Sequence, residues 1–256
     1  MSYQPRISLI IAVKNAKENL LHTLNSIREQ IYPYLEVIVI DGGSTDGTVE
    51  LIDANQNLVT SWLSEPDQGI SDAFNKGVRK ATGDYINFQG AGDTLCTPDC
   101  LQTLFSDLDP SFTLVCGKVA RVSEDGLTKL WEAPRHIKPF KTSSLLFKMA
   151  LPHQGLFTQR TFFDQFGEFD TNVRFAMDYE LLLRAYHQFP KTIVKDVLIS
   201  NWRAGGIGTS KLHEIFDEYH RIKTQHGIAS PVVLKAIDRF TRFKYHLKTK
   251  WLRVTY

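Results

Sequence analysis

Cysteine is scarce in this 256-residue chain, which has only Cys96, Cys100 and Cys116. An odd count without zinc-type or thioredoxin-type spacing excludes a disulfide scaffold and fits a reduced, intracellular setting. Long apolar runs are absent too. No stretch approaches the roughly 18 consecutive apolar residues of a membrane-crossing helix. The opening MSYQPRISLIIAV has a short apolar run and no small-residue cleavage site, so no signal peptide is predicted. Glycine is missing from Lys14-Asn15-Ala16-Lys17, where a dinucleotide enzyme needs G-x-G-x-x-G for close approach to a pyrophosphate. There is no Walker A sequence either, which excludes the P-loop class. Charge of one sign is not in excess, with 30 Lys and Arg against 28 Asp and Glu, a formal net of +2.

What is present is ordinary soluble globular composition, 43% hydrophobic and 23% charged, enough for one large domain or a domain with an appendage. The charge is uneven. Residues 233–256 hold seven basic side chains and one acid, leaving 23 basic against 27 acidic residues, or −4, in the body. The mildly acidic body and the lack of a binding motif argue against nucleic acid as a partner. In the tail the basic residues alternate with Phe240, Phe243, Tyr245, Leu247, Trp251, Leu252 and Tyr256. Such a segment suits an anionic membrane surface, at about 1 kcal/mol per Lys or Arg. The alternative is a C-terminal helix with its aromatics packed on the body.

Ile7–Val13 is an apolar, β-branched run broken only by Ser8, the pattern of a buried parallel strand, and Leu35–Ile40 (LEVIVI) predicts a second. Leu58–Leu63 and Asp84–Phe88 predict two more, with helices at Asn15–Gln30, Thr45–Ala54 and Ser71–Thr82, the last closed by Gly83. This alternation predicts an α/β fold, Rossmann-like, with a mostly parallel central sheet and helices on both faces. Right-handed crossovers then gather the loops after each strand on one edge, where open α/β sheets bind ligands. Further along, Phe112–Gly117 and Leu127–Trp131 read as strands around Asp125-Gly126, Met177–Phe189 as a helix and Thr192–Ile199 as a strand. Asn201–Ser210 reads as a glycine-rich loop, and Lys211–His226 as a helix stopped by Gly227.

Four polar clusters fall on the binding edge: Asp41-Gly42-Gly43-Ser44-Thr45-Asp46-Gly47-Thr48, Glu65-Pro66-Asp67-Gln68-Gly69, Gly90-Ala91-Gly92-Asp93 and Ala176-Met177-Asp178-Tyr179-Glu180. With the strand SLIIAVKN, the turn VIVIDGGSTDGT, the stretch SEPDQGISDAFNKGVRKATGDYINFQGAGD and the segment FAMDYELLLR, the chain resembles glycosyltransferase family 2, inverting transferases with a GT-A fold. The resemblance spans about residues 6–210 and implies a catalytic domain there. Residues 1–95 would form its nucleotide-binding half and 96–210 its acceptor-binding half, followed by a basic, aromatic helical tail at 211–256.

The resemblance also implies roles. Asp41 would accept a hydrogen bond from a nucleobase N–H, with backbone groups of Ala12 and Val13 beside base or ribose; a turn-forming or capping role for Asp41 is the alternative. Asn15, Gly42, Ser44 and Gly92 belong to the same nucleotide-sugar site, and Asp67 would line ribose or donor sugar. Many relatives carry a second acid where this chain has Gly42. Lys76 would reach a phosphate or else pair with Asp72 at i, i+4. Asp93 would hold Mn²⁺ or Mg²⁺ against the donor diphosphate, with other oxygens completing the coordination sphere. Asp178 would be the general base, with Glu180 as the fallback. His153 and Gln154 would line the acceptor side, and Gly205-Gly206-Ile207-Gly208-Thr209-Ser210 would be a lid or only a loop.

The resulting expectation is an enzyme that moves a sugar from a nucleoside diphosphate, UDP above all, to a hydroxyl of a glycan or lipid-linked acceptor in polysaccharide assembly. It would be cytoplasmic and peripheral at the inner face of the cell membrane. Two rivals stand beside it. One is an inactive nucleotide- or glycan-binding module. The other is a sugar-1-phosphate nucleotidyltransferase, which would need a glycine-rich, Arg-bearing loop where Lys14-Asn15-Ala16-Lys17 stands.

Overall fold

The apolar run Ile7–Val13 forms β1 and lies at the middle of a four-stranded parallel group, with Ile7, Leu9, Ile10 and Ile11 fully buried. Burying each such side chain stabilises the fold by about 1.5–3 kcal/mol. The computed structural model describes residues 3–203 and 211–254. After β1 come α1 (Lys17–Arg28), β2 (Leu35–Asp41), α2 (Thr48–Asp53), β3 (Ser61–Ser64), α3 (Ile70–Lys80) and β4 (Tyr85–Gly90). The strands stand in the order β3-β2-β1-β4, all parallel.

The rest of the sheet is not parallel throughout. It contains β5 (Thr94–Leu95), β6 (Leu114–Val122), β7 (Lys129–Ala133), β8 (Leu156–Gln159) and β9 (Thr192–Arg203). Strand β8 runs antiparallel to both β4 and β6, β9 parallel to β6, and β5 antiparallel to β9. Strand β7 returns antiparallel along β6 through the Asp125-Gly126 turn, where Gly126 takes φ +78°. The sheet is therefore mixed, with its parallel character confined to the first four strands and the β6–β9 pair. Helices cover both faces, as expected. Helices α1, α2 and α4 (Cys100–Phe105) bury Leu20, Leu24, Ile52 and Leu101 on one side. Helices α3, α5 (Arg160–Phe166), α6 (Met177–Arg184) and α7 (Leu212–Gln225) bury Phe74, Phe162, Leu182 and Ile222 on the other.

Several expected boundaries move for local reasons. Helix α2 starts at Thr48 because Asp46 Oδ1 takes the Thr48 N–H (3.1 Å) and hydroxyl (2.6 Å), while Gly47 has a left-handed φ of +89°. Helix α6 ends at Arg184, and Tyr186–Gln188 continues only as a 3-10 turn. Gly83 is not a left-handed helix cap. Helix α3 ends at Lys80 with Ala81 extended, and Gly83 is required instead by close packing. A Cβ there would lie 2.8 Å from Ser8 N and 2.9 Å from Arg6 O.

The C-terminal helix α8 spans Pro231–Val254. It buries Leu234 and Ile237 and leaves Phe240 (55%) and Phe243 (61%) exposed, while Phe240 meets Phe147 (6.3 Å) and Tyr245 meets Phe216 (5.7 Å) edge to face, so the described aromatics are only partly packed on the body. Helix α7 is knit into the body: Lys223 donates to Leu146 O (3.1 Å), and the following His226 meets Glu180 (2.8 Å).

Candidate active site

Strands β1, β2 and β4 end side by side at Val13, Asp41 and Gly90. Asp41 is fully buried. Its Oδ2 accepts N–H from Gly43 (3.1 Å) and Ser44 (2.9 Å) and the Ser64 hydroxyl (2.6 Å), and its Oδ1 accepts the Ser44 hydroxyl. A carboxylate has about four lone-pair sites. Asp41 thus shapes the turn, as its alternative role supposed, and its acceptor capacity is used inside the protein. Asn15, in a left-handed conformation (φ +47°), ties the first loop to this turn: its N–H donates to Ser44 Oγ (2.7 Å) and its Oδ1 accepts Thr45 N–H (2.9 Å). The carbonyl of Val13 accepts Gly42 N–H (2.9 Å), and that of Ala12 accepts Ala91 N–H (3.1 Å).

Gly42 is buried, and a Cβ there would overlap Asp67 Oδ2 and stand 3.1 Å from Asp67 Cγ. The Asp67 carboxylate, carried on the loop after β3, thus fills the room beside position 42. Its Oδ1 accepts Gly69 N–H (3.0 Å). Lys76 instead faces back along its helix, holding Asp72 (3.1 Å), Glu65 (2.9 Å) and Pro66 O (3.1 Å), the pairing expected as its alternative.

The turn after β4 is closed reciprocally. Asp93 Oδ2 accepts Gly90 N–H (2.9 Å), and Gly90 O accepts Asp93 N–H (3.0 Å). Gly92, at φ +104°, donates its N–H to Thr23 Oγ1 (2.9 Å) and leaves room for Arg203, whose Cδ would stand 3.6 Å from a Cβ there. Burial pushes the Asp93 carboxyl up to about 6, against the opposing pull of the Gly90 N–H, the Gln154 amide and Arg203. Gln154 Nε2 reaches Asp93 Oδ2 at 3.4 Å. A buried amide network fixes this segment: Asn87 and Gln89 donate to Gln154 O at 3.1 and 3.0 Å, and Ser200 donates to Gln89 Oε1 at 3.0 Å.

Asp178 is the second residue of α6, and its Oδ1 accepts its neighbour Tyr179's N–H (2.8 Å). No side chain of its own segment caps this helix. Glu218 on α7 instead holds the approach to the helix, accepting the N–H groups of Arg174 (2.9 Å), Phe175 (2.8 Å) and Ala176 (2.9 Å). Glu180, the fallback base, is buried and turned away. It is clamped by Arg184 Nε (2.8 and 3.0 Å) and His226 Nε2 (2.8 Å). It is a structural ion-pair acid, and that fallback is withdrawn. The His153 ring stacks on Phe88 (5.4 Å, 11°), and its Nε2 is buried without a partner among the described residues. Burial lowers its pKa while the nearby Asp178 charge pulls it up.

Asp93, Gln154, His153 and Asp178 all line one cleft of about 1010 Å³. Asn15, Asp41, Gly42, Ser44 and Asp67 gather separately at the ends of β1, β2 and β3. Among the described residues no three His, Cys, Asp or Glu side chains form a metal cluster. The glycine-rich segment expected as a lid, 204–210, lies outside the described residues. Sequence reasoning missed Arg203, Glu218, Trp131 and Trp202. The tryptophans and Arg203 line the cleft from strands whose edges carry no motif, and Glu218 acts 40 or more residues from the atoms it holds.

This sheet, with its loops gathered at the strand ends around a carboxylate-lined cleft, defines the GT-A fold. The chain superposes on Staphylococcus aureus TarS 1–349 in complex with UDP-GlcNAc with a TM-score of 0.71, at 16% identity, covering 91% of this chain and 70% of that one. It also matches the mannosyltransferase PcManGT from Pyrobaculum calidifontis in complex with GDP-Man and Mn²⁺, with a TM-score of 0.62 at 21% identity over 97% and 72% of the two chains. Residues 8–166 match the sequence model of glycosyl transferase family 2, and the chain belongs to that family; it is a glycosyltransferase. A PGL/p-HBAD biosynthesis glycosyltransferase of Mycobacterium tuberculosis is 29% identical over 90% of each chain. An uncharacterized glycosyltransferase of the same species is 32% identical over 72% of this chain and 70% of that one.

Proposed function

We propose that the protein is an inverting transferase that moves one sugar from a UDP-linked donor to a hydroxyl of a glycan or lipid-linked acceptor. The observation that carries this is the shared cleft of Asp93 and Asp178, which gives one carboxylate to the donor's diphosphate side and one to the acceptor. Residues 1–95 supply the donor half and 96–210 most of the acceptor half.

Asp178 acts as the base. Its Oδ1 is occupied by Tyr179 N–H, so Oδ2 takes the acceptor hydroxyl's proton as that oxygen attacks the anomeric carbon. The bond from that carbon to the diphosphate oxygen breaks on the opposite face, which inverts the configuration. Arg203, on the cleft wall beside Asp93, places a positive charge where the leaving diphosphate gains negative charge. The donor's base lies over the ends of β1 and β2, where Asp67 offers a carboxylate oxygen to a base N–H. Asn15, Ser44, Ala12 and Val13 frame that floor.

The chain fits a divalent cation at Asp93. A carboxyl whose ionisation is opposed by burial gains from a cation beside it, and a hard ion draws its remaining ligands from diphosphate and water. When bound, Mn²⁺ or Mg²⁺ would offset charge on the leaving group.

TarS holding UDP-GlcNAc and a relative named for PGL/p-HBAD biosynthesis support a UDP donor and a role in cell-surface glycan assembly. The exposed Phe240, Phe243 and Leu247 of α8, with Lys235, Arg239 and Lys244 exposed on the same helix, support a cytoplasmic enzyme that rests on an anionic membrane face. No helix among the described residues is long and apolar enough to cross a membrane.

Thermal melting with UDP, dTDP, GDP and CMP, each with and without Mn²⁺, tests the donor site. At 100 times its dissociation constant, UDP with Mn²⁺ should stabilise by about 2.7 kcal/mol, and D93A should lose that shift. No stabilisation by any nucleotide would refute the reading and favour a glycan-binding module.

A further inference from the structure

Strand β6 carries Arg121 directly opposite Trp131 on β7 and directly opposite Trp202 on β9. One row across three neighbouring strands projects to one face of the sheet. Val119, two residues before Arg121, pairs with Ala133 in the same way. Both tryptophans, Val119 and Ala133 line the cleft that holds Asp93 and Asp178. The two indoles meet edge to face, 6.1 Å apart at 73°, and the Arg121 guanidinium sits 4.8 Å from the Trp202 ring centroid. Trp202 is thereby fixed in orientation, while Trp131, on an edge strand, remains 37% exposed.

A large indole left open inside a cleft is a ready contact surface. Its negative π face attracts the slightly positive C–H groups of an apolar partner. The cleft is not apolar throughout: Glu124 and Arg174 line it as well. The exposed Trp131 indole, braced edge-on by Trp202 in a cleft that also carries charged hydrogen-bonding groups, suits a pyranose ring, which has an apolar C–H face and hydroxyls at its edge. A polyprenyl chain or an alkyl alcohol would leave those charges unused. The nucleobase is accounted for elsewhere, over β1 and β2.

From this we infer that Trp131 and Trp202 form an acceptor-sugar subsite, so that the acceptor presents a terminal pyranoside to Asp178 and not a bare lipid alcohol. The inference rests on the transferase reading above and names the acceptor class of that site. Trp131 is a specificity-determining residue and takes no part in proton transfer.

The test is ligand-observed NMR titration of a panel of methyl pyranosides (glucoside, mannoside, rhamnoside and N-acetylglucosaminide) against wild type, W131A and W131F. UDP with Mn²⁺ is melted in parallel as a control on the fold and donor site. At least one pyranoside should bind wild type saturably, W131A should weaken it by about tenfold or more, and W131F should stay within about threefold because an aromatic face is kept. Equal binding to wild type and W131A overturns the subsite. So does a panel with no binder while UDP still stabilises the protein. Failure of UDP to stabilise wild type overturns the donor reading instead, and the pyranoside result then stands separately.

Discussion

The carboxylate of Asp67 occupies the space that a side chain on Gly42 would need. The acid on the loop after β3 thus lies against the end of β2, and a side chain at position 42 would displace it. On the proposed reading Asp67 Oδ2 meets the N3–H of uracil, whereas cytosine presents a lone pair at that position. D67A should weaken UDP by about 10- to 100-fold, the worth of a hydrogen bond to a charged group, with little effect on CMP. G42A should do the same by pushing the carboxylate aside. Isothermal titration of both nucleotides decides, and equal losses for UDP and CMP would remove Asp67 from base recognition.

Asp178 and Glu180 are two residues apart, yet they should fail differently. Glu180 is buried and held by Arg184 and His226, so E180A strands the partly buried Arg184 guanidinium and costs up to about 3–5 kcal/mol. That is a fall of roughly 6–20 °C in melting temperature at this size. D178N should leave the melt nearly unchanged and lower kcat by about 10²–10⁴. A D178N enzyme with near-normal turnover would mean that the base lies elsewhere.

Asp93 sets a pH dependence of known sign. Its folded pKa is raised from 3.8 to about 6, chiefly by burial. The folded protein therefore holds this proton more tightly than the unfolded chain. The stability that follows is fully present below about pH 4 and is lost as pH rises through about 6. D93N, which cannot ionise, should melt higher than wild type at pH 7.5, and the gap should close as pH falls. Nucleotide binding runs the other way: the Mn²⁺-dependent shift with UDP should fade below about pH 6 as Asp93 takes up its proton.

The exposed face of α8 predicts membrane binding. Co-sedimentation with vesicles rich in phosphatidylglycerol should exceed that with phosphatidylcholine alone and should weaken with salt. Replacing Lys235, Arg239 and Lys244 by Gln should weaken it roughly a hundredfold, at about 1 kcal/mol per charge. F240S with F243S should reduce binding to both vesicle types. Salt-independent binding, or none, would return α8 to a purely structural role.

The parallel half of the fold was legible because ISLIIAV and LEVIVI can be little but buried strands, and the turns after them are rich in Gly, Ser and Asp. Asp93 and Asp178 stood out as candidates because the clusters around them are local. The antiparallel half was harder to see. Strand β8 is only LFTQ, too short for alternation to show, and its place between β4 and β6 depends on partners far away in the chain. The same holds for Glu180, a plausible base on sequence alone until His226, 46 residues later, is seen beside it. Asp41 looked free to reach a ligand because the Ser64 hydroxyl that engages it comes from the next strand. Gly83 looked like a helix stop because its true constraint, the backbone of Arg6 and Ser8, lies over 70 residues earlier in the chain.

Glu218 receives the N–H groups of Arg174, Phe175 and Ala176, and so anchors the approach to the helix that carries Asp178. A fragment cut after residue 210 would retain every strand described here and lose that anchor, together with the His226 contact to Glu180. It should bind nucleotide and transfer poorly, because its donor floor would be whole and its base unmoored. Helix α7 and His226 are thus a brace for the helix that carries Asp178, and any trimming for crystallisation or expression should stop beyond His226.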